Sequence, residues 1–364
     1  MRTSGGDVVT GVEIGELNDT AASLRRWVSE QLQARGYCVS SDGIDDWYAL
    51  GGDAGSRHYF RFTLTGAVPI TMLAVWAPPR TEKNTEFLQI ANILREQGVA
   101  VPEIIAFDMH LGFFIIEDLG TESLLEKLNG DTANTLYPLV FDQLLKIQTI
   151  SAAENPLPRY DGAFLLREMQ LFREWFLEAL LNVELDSDAV QMLDDLFAIL
   201  VENALAQPVV VTHRDFHARN LIYRGEQPPG VIDFQDAVAG PITYDLVSLL
   251  KDCYIAWPRP QVVEWVQLYC EFAWQKGLLS REVDEESFIR WFDWMGLQRH
   301  IKVAGIFARL HLRDGKSGYL NDVPRVLAYI VDTASAYPEF DAFHRWLTTQ
   351  LQPVIAQQTW GLHD

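Results

Sequence analysis

The chain opens with a pattern of apolar residues at helical spacing. Between Leu24 and Leu32 the apolar positions recur every three or four residues, which is typical of an amphipathic helix. Asp19 and Thr20 are residue types that favour the N-terminus of a helix, and Gly36 is a residue type that favours its C-terminus. The pattern therefore predicts a helix capped by Asp19-Thr20 and ended by Gly36.

The period then changes from helical spacing to alternation. Residues 47–76 contain a glycine-rich turn at 51–56, an alternating run at 59–62 and a continuous apolar run at 70–76. Alternation and short apolar runs separated by glycine turns are typical of β-hairpins, and Pro78-Pro79 is expected to end the last strand.

A helix is predicted at about residues 85–97, and the unbroken apolar run 113–116 predicts a buried strand that leaves through Glu117, Asp118 and Leu119. From Ser123 onward the pattern is mainly helical. The sequence therefore predicts an α+β protein with two lobes. A small β-rich lobe spans residues 1–118 and a larger, mostly α-helical lobe spans residues 119–364.

Composition limits the class of partner. The chain has 364 residues with 29 Lys and Arg against 50 Asp and Glu, a formal net charge of −21. No stripe of basic residues interleaved with aromatics is present, which argues against a nucleic-acid platform and favours a small-molecule or protein substrate. No obligatory protein partner is indicated.

No stretch approaches the 18 or so apolar residues that a membrane span needs, and the N-terminus lacks an apolar signal segment. We therefore expect a cytoplasmic protein without a membrane partner. Cys38, Cys253 and Cys270 are odd in number and widely spaced, which is typical of reduced thiols rather than a disulfide framework or a zinc site.

The residues with the clearest chemical pattern are His213-Arg214-Asp215, Asn220 and Asp233, each beside a short β-branched run. In phosphoryl transfer, an aspartate at the position of Asp215 accepts the proton of the attacking hydroxyl. Asn220 and Asp233 would supply hard oxygen ligands to Mg²⁺ on the nucleotide. A surface turn followed by a strand-end cap is the alternative, but three matched elements favour the catalytic interpretation.

Two further segments are candidates for nucleotide binding. The glycine turn ends at Ser56 and Arg57, and such a loop can offer backbone N–H groups to phosphates. Glu117 and Leu119 leave a buried strand, where backbone groups can pair with an adenine edge. An ordinary hairpin turn and an acidic loop ending at Gly120 are the respective alternatives.

These residues carry a resemblance to the aminoglycoside phosphotransferase and choline kinase family. That family has the protein-kinase fold and uses ATP and Mg²⁺, so the resemblance implies both for this chain. It also implies that Asp245 supports the catalytic loop and that His213 is structural. Asp233-Phe234 is followed by Gln235 rather than glycine, which makes protein kinases less similar. The matching segments are 211–221, 231–237 and 241–246.

Four more segments resemble the anomeric sugar kinases of cell-wall recycling, which phosphorylate N-acetylmuramate and N-acetylglucosamine at the C1 hydroxyl. The resemblance implies a small amino sugar as substrate and a role in peptidoglycan recycling. An aminoglycoside, choline or other amino-alcohol kinase is the alternative. The four segments are 77–79, 167–175, 295–303 and 313–320.

Charge within residues 299–316 favours the sugar kinase. Five Lys or Arg residues and two His face only one acid, Asp314, in an otherwise acidic chain. Arg299 and Lys302 are therefore candidate ligands of a carboxylate substrate, whereas an antibiotic kinase needs an acidic pocket. A solvated basic helix face is the alternative. Glu168, on a predicted amphipathic helix, is a weaker candidate for binding sugar hydroxyls.

The predicted strand at residues 70–76 lacks the lysine that kinase-fold enzymes place there to bind the α- and β-phosphates. Arg57, Arg61 and Lys83 are the possible substitutes, and Glu86 is a possible ion-pair partner. The missing lysine also leaves open a nucleotide-binding protein without activity, although intact Asp215, Asn220 and Asp233 argue against it.

Overall fold

The computed structural model describes residues 11–37, 44–51, 56–65, 68–155 and 157–361. Cys38 and the middle of the predicted glycine turn, residues 52–55, lie outside the described residues. The chain divides into two compact units. Unit 1 comprises Met1–Arg95 and Val101–Gly120, and unit 2 comprises Glu96–Ala100 and Thr121–Asp364.

Unit 1 contains an antiparallel sheet and two helices. The strands lie in the order β1-β2-β3-β5-β4, as the alternating and apolar runs predict. The elements are α1 (Gly11–Ala34), β1 (Asp45–Ala49), β2 (His58–Leu64), β3 (Ile70–Trp76), α2 (Asn84–Glu96), β4 (Ile104–Asp108) and β5 (Phe113–Glu117).

The first helix differs from the prediction at its start. Helix α1 begins at Gly11, so Asp19 and Thr20 lie inside it and do not cap it. Asp19 is exposed, so its polar side chain meets no burial penalty at an interior helical position. The predicted end is confirmed, since Gly36 has φ +83°, a conformation that favours glycine.

Each face of the sheet in unit 1 packs against one helix. Phe60 and Phe62 of β2 lie in a buried cluster with Leu24 and Val28 of α1. The opposite face places Val75, Ala77, Phe114 and Ile116 in a second cluster, which Phe87 and Leu88 of α2 contact. Because successive strand residues point to opposite faces, β2 also directs Tyr59 and Arg61 toward the α2 side.

Unit 2 is mostly helical, with short strand pairs that hold its loops. Strand β6 pairs with β9, and β7 pairs with β8. The elements are α3 (Leu124–Lys127), α4 (Ala133–Gln148), α5 (Gly162–Leu171), a π-helical segment (Phe172–Leu180), α6 (Ser187–Leu205), β6 (Val209–Thr212), a 3₁₀ turn (Ala218–Asn220), β7 (Leu221–Ile222), β8 (Gly230–Val231), β9 (Val238–Pro241), α7 (Tyr244–Leu250), α8 (Arg259–Gln275), α9 (Glu285–Asp314), a 3₁₀ turn (Ser317–Asp322), α10 (Val323–Ala336), a 3₁₀ turn (Pro338–Phe340), α11 (Asp341–Trp346), a π-helical segment (Leu347–Leu351), α12 (Gln352–Ile355) and a 3₁₀ turn (Thr359–Gly361).

Helix α9 is the longest helix among the described residues, at 30 residues, and runs through the core of unit 2. Asp284 caps its N-terminus by accepting a hydrogen bond from the Ser287 backbone N–H at 2.8 Å, and Gly315 ends it with φ +70°. Helix α9 does not carry its apolar residues on one stripe, because it is buried on several sides. None of the described helices is both long and apolar enough to span a bilayer.

Gly305 marks the closest approach of α9 to the end of α5. A Cβ atom at Gly305 would lie 2.3 Å from the Leu171 backbone carbon, and backbone atoms cannot move aside as a flexible side chain can. At Gly296, on the same helix, a Cβ atom would first meet the Lys251 side chain at 3.4 Å, which is ordinary contact.

We therefore expect Gly305→Ala to lower the free energy of unfolding by at least about 2 kcal/mol through overpacking. Gly296→Ala is the matched control and should be neutral, or stabilising by up to about 1 kcal/mol, because alanine favours helix. Urea unfolding of both variants measures the difference. Equal stability of the two variants would contradict the close helix packing.

Candidate active site

The catalytic loop runs from the end of β6 to β7 and is held by a buried carboxylate. Asp245, at the start of α7, is fully buried and accepts the backbone N–H groups of His213 at 2.6 Å and Arg214 at 2.9 Å. Burial raises the pKa of Asp245 above its ordinary value, against the lowering effect of His213 and of these two hydrogen bonds. Arg214 has φ +78°, so the loop backbone is fixed in a conformation that a non-glycine residue rarely adopts.

His213 links this loop to the segment after β8. Its Nε2 lies 3.0 Å from the Ile232 carbonyl oxygen, and its Nδ1 lies 3.3 Å from the Asp215 backbone N–H. The two contacts together favour the tautomer in which Nε2 carries the hydrogen and Nδ1 accepts. The His213 side chain thus fixes the backbone on both sides of the predicted site.

Asn220 and Asp233 lie next to each other and to Asp215. The Asn220 Nδ2 donates to the Asp215 carbonyl oxygen at 3.0 Å and lies 3.4 Å from Asp233 Oδ2. Asp233 is exposed and adopts φ +66°. Gln235 donates to the other Asp233 oxygen at 2.7 Å. The structure therefore brings together the three residues that the sequence predicted as base and metal ligands.

The donor set of Asn220 and Asp233 fits magnesium. Because the Asn220 Nδ2 is engaged by the Asp215 carbonyl, its side-chain oxygen is the atom that remains for a cation. Two protein oxygens suit Mg²⁺, which keeps several waters and binds substrate phosphates. Among the described residues, no group of three or more His, Cys, Asp and Glu side chains could hold a metal ion.

Glu168, a weak sugar-binding candidate from the sequence, is instead shared by two buried cations. Its Oε1 lies 2.6 Å from Arg214 Nη2 and 3.0 Å from Lys302 Nζ, and the Tyr160 hydroxyl donates to its other oxygen. Burial would raise the pKa of Glu168, but the charges of Lys302 and Arg214 lower it below its ordinary value. The carboxylate is therefore ionised and anchors Arg214, the residue before Asp215.

Lys302 is likewise committed to protein partners. Its Nζ donates to the Tyr244 hydroxyl at 2.8 Å in addition to its contact with Glu168. Only 5% of the Lys302 side chain is exposed. Two of the three N–H donors of the Lys302 ammonium group are therefore used within the protein, and direct binding of the substrate carboxylate by Lys302 stays a prediction.

Segment 299–316 does not form the single solvated basic helix face that the alternative interpretation predicts. Arg299, His300 and Lys302 are buried, and Arg313 near the end of α9 is exposed.

The buried cations act on Asp215. Burial would raise the pKa of this carboxyl, but the positive charges of Lys302, Arg299 and Arg214 outweigh it and hold the pKa below its ordinary value. His217 also lies near, although burial lowers the pKa of its imidazole. Asp215 is therefore an anion at neutral pH and can accept a proton.

A second buried carboxylate was missed by the sequence interpretation. Asp252 is 1% exposed and accepts the backbone N–H groups of Ala218 at 2.9 Å and Tyr254 at 3.0 Å. It thus holds the far end of the catalytic loop, as Asp245 holds the near end. It follows α7 by two residues, and its only sequence signal is a charge next to an apolar run.

In unit 1, Glu82 contacts both residues predicted to bind phosphate. Its carboxylate accepts hydrogen bonds from the Ser56 backbone N–H at 3.2 Å and the Ser56 hydroxyl at 2.5 Å, and it lies 2.9 Å from Arg57 Nε. The partner expected from the sequence, Glu86, is exposed. Glu82 rather than Glu86 is therefore the acid that pairs with a cation beside α2.

Arg57 and Arg61, two possible substitutes for the missing lysine, have different surroundings. Arg61 makes a two-point contact with Asp118 at 2.7 and 2.8 Å and also donates to the Gly120 carbonyl. Arg57 stacks over the Phe87 ring at 4.9 Å. Arg61 thus braces the end of β5. Lys83, the third possible substitute, is exposed.

The predicted adenine-binding segment follows β5. The Glu117 backbone N–H donates to the Glu103 carbonyl at 2.8 Å, so this N–H group cannot also bind a nucleotide. Leu119, two residues on, is 9% exposed, and its backbone N–H donates to no described residue. Of the two residues, Leu119 is the one whose amide fits the predicted role.

Comparison with known proteins agrees with this geometry. A model of the phosphotransferase enzyme family (APH) matches residues 41–279. An N-acetylmuramate/N-acetylglucosamine kinase of Pseudomonas putida is 41% identical over 318 residues, covering 87% of this chain and 92% of that protein. A kinase of the same name from Neisseria meningitidis is 41% identical over 292 residues, covering 79% of this chain and 85% of that protein.

Solved structures confirm the predicted α+β, kinase-like fold. A Plasmodium vivax ethanolamine kinase has a TM-score of 0.58 at 15% identity and covers 83% of this chain and 84% of that chain. The GDP complex of aminoglycoside 2'-phosphotransferase-IIIa also has a TM-score of 0.58, at 14% identity, and covers 86% of this chain and 99% of that chain. With the family match and the relatives at 41% identity, the chain belongs to the phosphotransferase enzyme family, and it is a kinase.

Proposed function

We propose that the protein transfers the γ-phosphoryl group of ATP to the C1 hydroxyl of N-acetylmuramate and N-acetylglucosamine. The observation that carries the proposal is the position of Asp215 beside Asn220 and Asp233, on a loop whose backbone Asp245 holds. The names of the relatives at 41% identity support the two sugars as acceptors. Such a kinase would serve peptidoglycan recycling in the cytoplasm.

Positioning would account for most of the rate. Asp215 orients the C1 hydroxyl in line with the phosphorus and accepts its proton late, since a loose transition state demands little base strength. Asn220 and Asp233 would hold Mg²⁺, which neutralises charge on the phosphates when bound. Arg214 and the backbone contacts of Asp245 keep Asp215 in place.

The nucleotide contacts are assigned to unit 1. Ser56 and Arg57 are the donors for the phosphates, and the Leu119 N–H and the Glu117 carbonyl are the backbone groups for adenine. Glu82 already occupies the Ser56 and Arg57 donors with a carboxylate, which has the charge and hydrogen-bonding capacity of a phosphate oxygen pair. This contact supports the assignment because it places the two donors around one anion.

The first test is ³¹P and ¹H NMR of the protein with ATP, Mg²⁺ and each acceptor in turn: N-acetylmuramate, N-acetylglucosamine, choline and kanamycin. A sugar 1-phosphate signal with both amino sugars is the expected result. Transfer only to choline or kanamycin, or ADP without a phosphorylated sugar, would reject the proposal in favour of the amino-alcohol or antibiotic kinases.

Asp215→Asn should lower kcat on the order of 10²-fold or more, because the amide cannot accept the proton. Asp195→Asn is the matched control, since Asp195 is an exposed carboxylate on α6. Steady-state kinetics with thermal unfolding of both variants separate catalysis from folding. Near-normal turnover of a folded Asp215→Asn protein is incompatible with its role as base.

Arg57→Ala should raise KM for ATP roughly 10- to 100-fold, the loss of one hydrogen bond to a charged group, and leave KM for the sugar within about threefold. Arg80→Ala removes the same charge from an exposed position in the connection before α2 and should change neither constant. If the two variants behave alike, another group binds the phosphates.

Lys302→Gln should move the acid limb of the kcat/KM profile to higher pH. Lys302 lowers the pKa of Asp215, so its removal raises that pKa and protonates the base closer to neutrality. Lys316→Gln, just beyond the end of α9, serves as the control. If the acid limb of the profile does not move and KM for the sugar rises, Lys302 binds the sugar rather than acting through Asp215.

A further inference from the structure

Arg299 is a buried cation without a hydrogen-bonding partner among the described residues. It is 4% exposed, and its Nε is enclosed with no acceptor in reach. Buried charges in proteins are normally paired and hydrogen-bonded, because desolvating an ion is costly. The other buried cations show this. Lys302 bonds to Glu168 and Tyr244, and Arg61 makes a two-point contact with Asp118.

The position of Arg299 ties it to the catalytic loop. It lies one helical turn before Lys302 on α9, and its guanidinium carbon lies 5.7 Å from the Tyr244 ring centroid. Its charge interacts favourably with the carboxylates of Asp215 and Asp252. Both oxygens of Asp252 already accept backbone N–H groups, from Ala218 and Tyr254. The guanidinium therefore acts on the base through its charge, while its hydrogen-bond donors have no partner among the described residues.

A planar guanidinium with several donors matches the two oxygens of a carboxylate or a phosphate. We propose that Arg299 is the residue that binds the carboxylate of N-acetylmuramate, and so determines preference for this acceptor over neutral N-acetylglucosamine. The inference rests on the proposed function, since it assumes that the sugar lies at Asp215. The transferred phosphoryl group is the other oxyanion that reaches this position, and the experiment separates the two.

The test compares Arg299→Gln and Arg299→Lys with the unaltered protein on N-acetylmuramate, its methyl ester and N-acetylglucosamine. For Arg299→Gln we expect kcat/KM with N-acetylmuramate to fall at least tenfold, mainly through KM. The fall should be several-fold smaller for the ester and for N-acetylglucosamine, because these acceptors lose only the effect of the Arg299 charge on Asp215. Arg299→Lys, which keeps the charge but loses the two-point geometry, should be intermediate. Arg313→Gln, exposed on the same helix, is the control.

Two results would overturn the assignment. An equal fall in kcat on both sugars identifies the phosphoryl group as the anion, and unchanged kinetics on all three acceptors makes Arg299 a structural cation. If Arg299→Gln fails to fold, the unaltered protein still tests the assignment. Equal kcat/KM values of the unaltered protein for the methyl ester and for the free acid would show that the carboxylate is not bound. Failure of the proposed function is a separate result, namely no phosphorylation of either sugar by the unaltered protein.

Discussion

The catalytic loop depends on one interaction, the acceptance of two successive backbone N–H groups by the Asp245 carboxylate. Arg214 adopts a left-handed backbone conformation that costs of order 1–3 kcal/mol for a non-glycine residue. Charge-assisted hydrogen bonds inside a fully buried environment are strong enough to offset that cost. The direction of the Asp215 side chain, and of the Arg214 side chain toward Glu168, follows from this backbone geometry.

Charge balance around Asp215 is the second constraint. Arg214, Lys302 and Arg299 are three cations with little exposure to solvent, and Glu168 forms ion pairs with the first two. Without Glu168 the cluster would carry unpaired desolvated charge, and without the cations Asp215 would be protonated more easily because it is buried. The arrangement keeps the base ionised and leaves Arg299 without a hydrogen-bonding partner among the described residues.

The sequence predicted the local parts of this site but not their pairing. The continuous apolar runs placed β3 and β5 correctly, because a buried strand leaves an apolar run in the sequence. Glu168 and Arg214 lie 46 residues apart. The local sequence around a polar residue on an amphipathic helix does not indicate which distant residue it contacts. For the same reason the sequence does not predict the contacts of Lys302 with Tyr244 and Glu168. The predicted start of α1 was also wrong, since Asp and Thr are tolerated on the solvent side of a helix as well as at its cap.

Strand β3 lacks the expected lysine, and the chain is closely packed where this strand ends. Where β3 ends, the Ala77 N–H donates to Gly112, the Ala77 carbonyl accepts from Asn84, and a Cβ at Gly112 would lie 2.1 Å from that carbonyl. This edge is closely packed. Arg57, just before β2, continues the alternation of Tyr59 and Arg61 on the α2 side and contacts Phe87 there. A cation from the neighbouring strand thus reaches the face where the lysine is expected, with Glu82 as its acid.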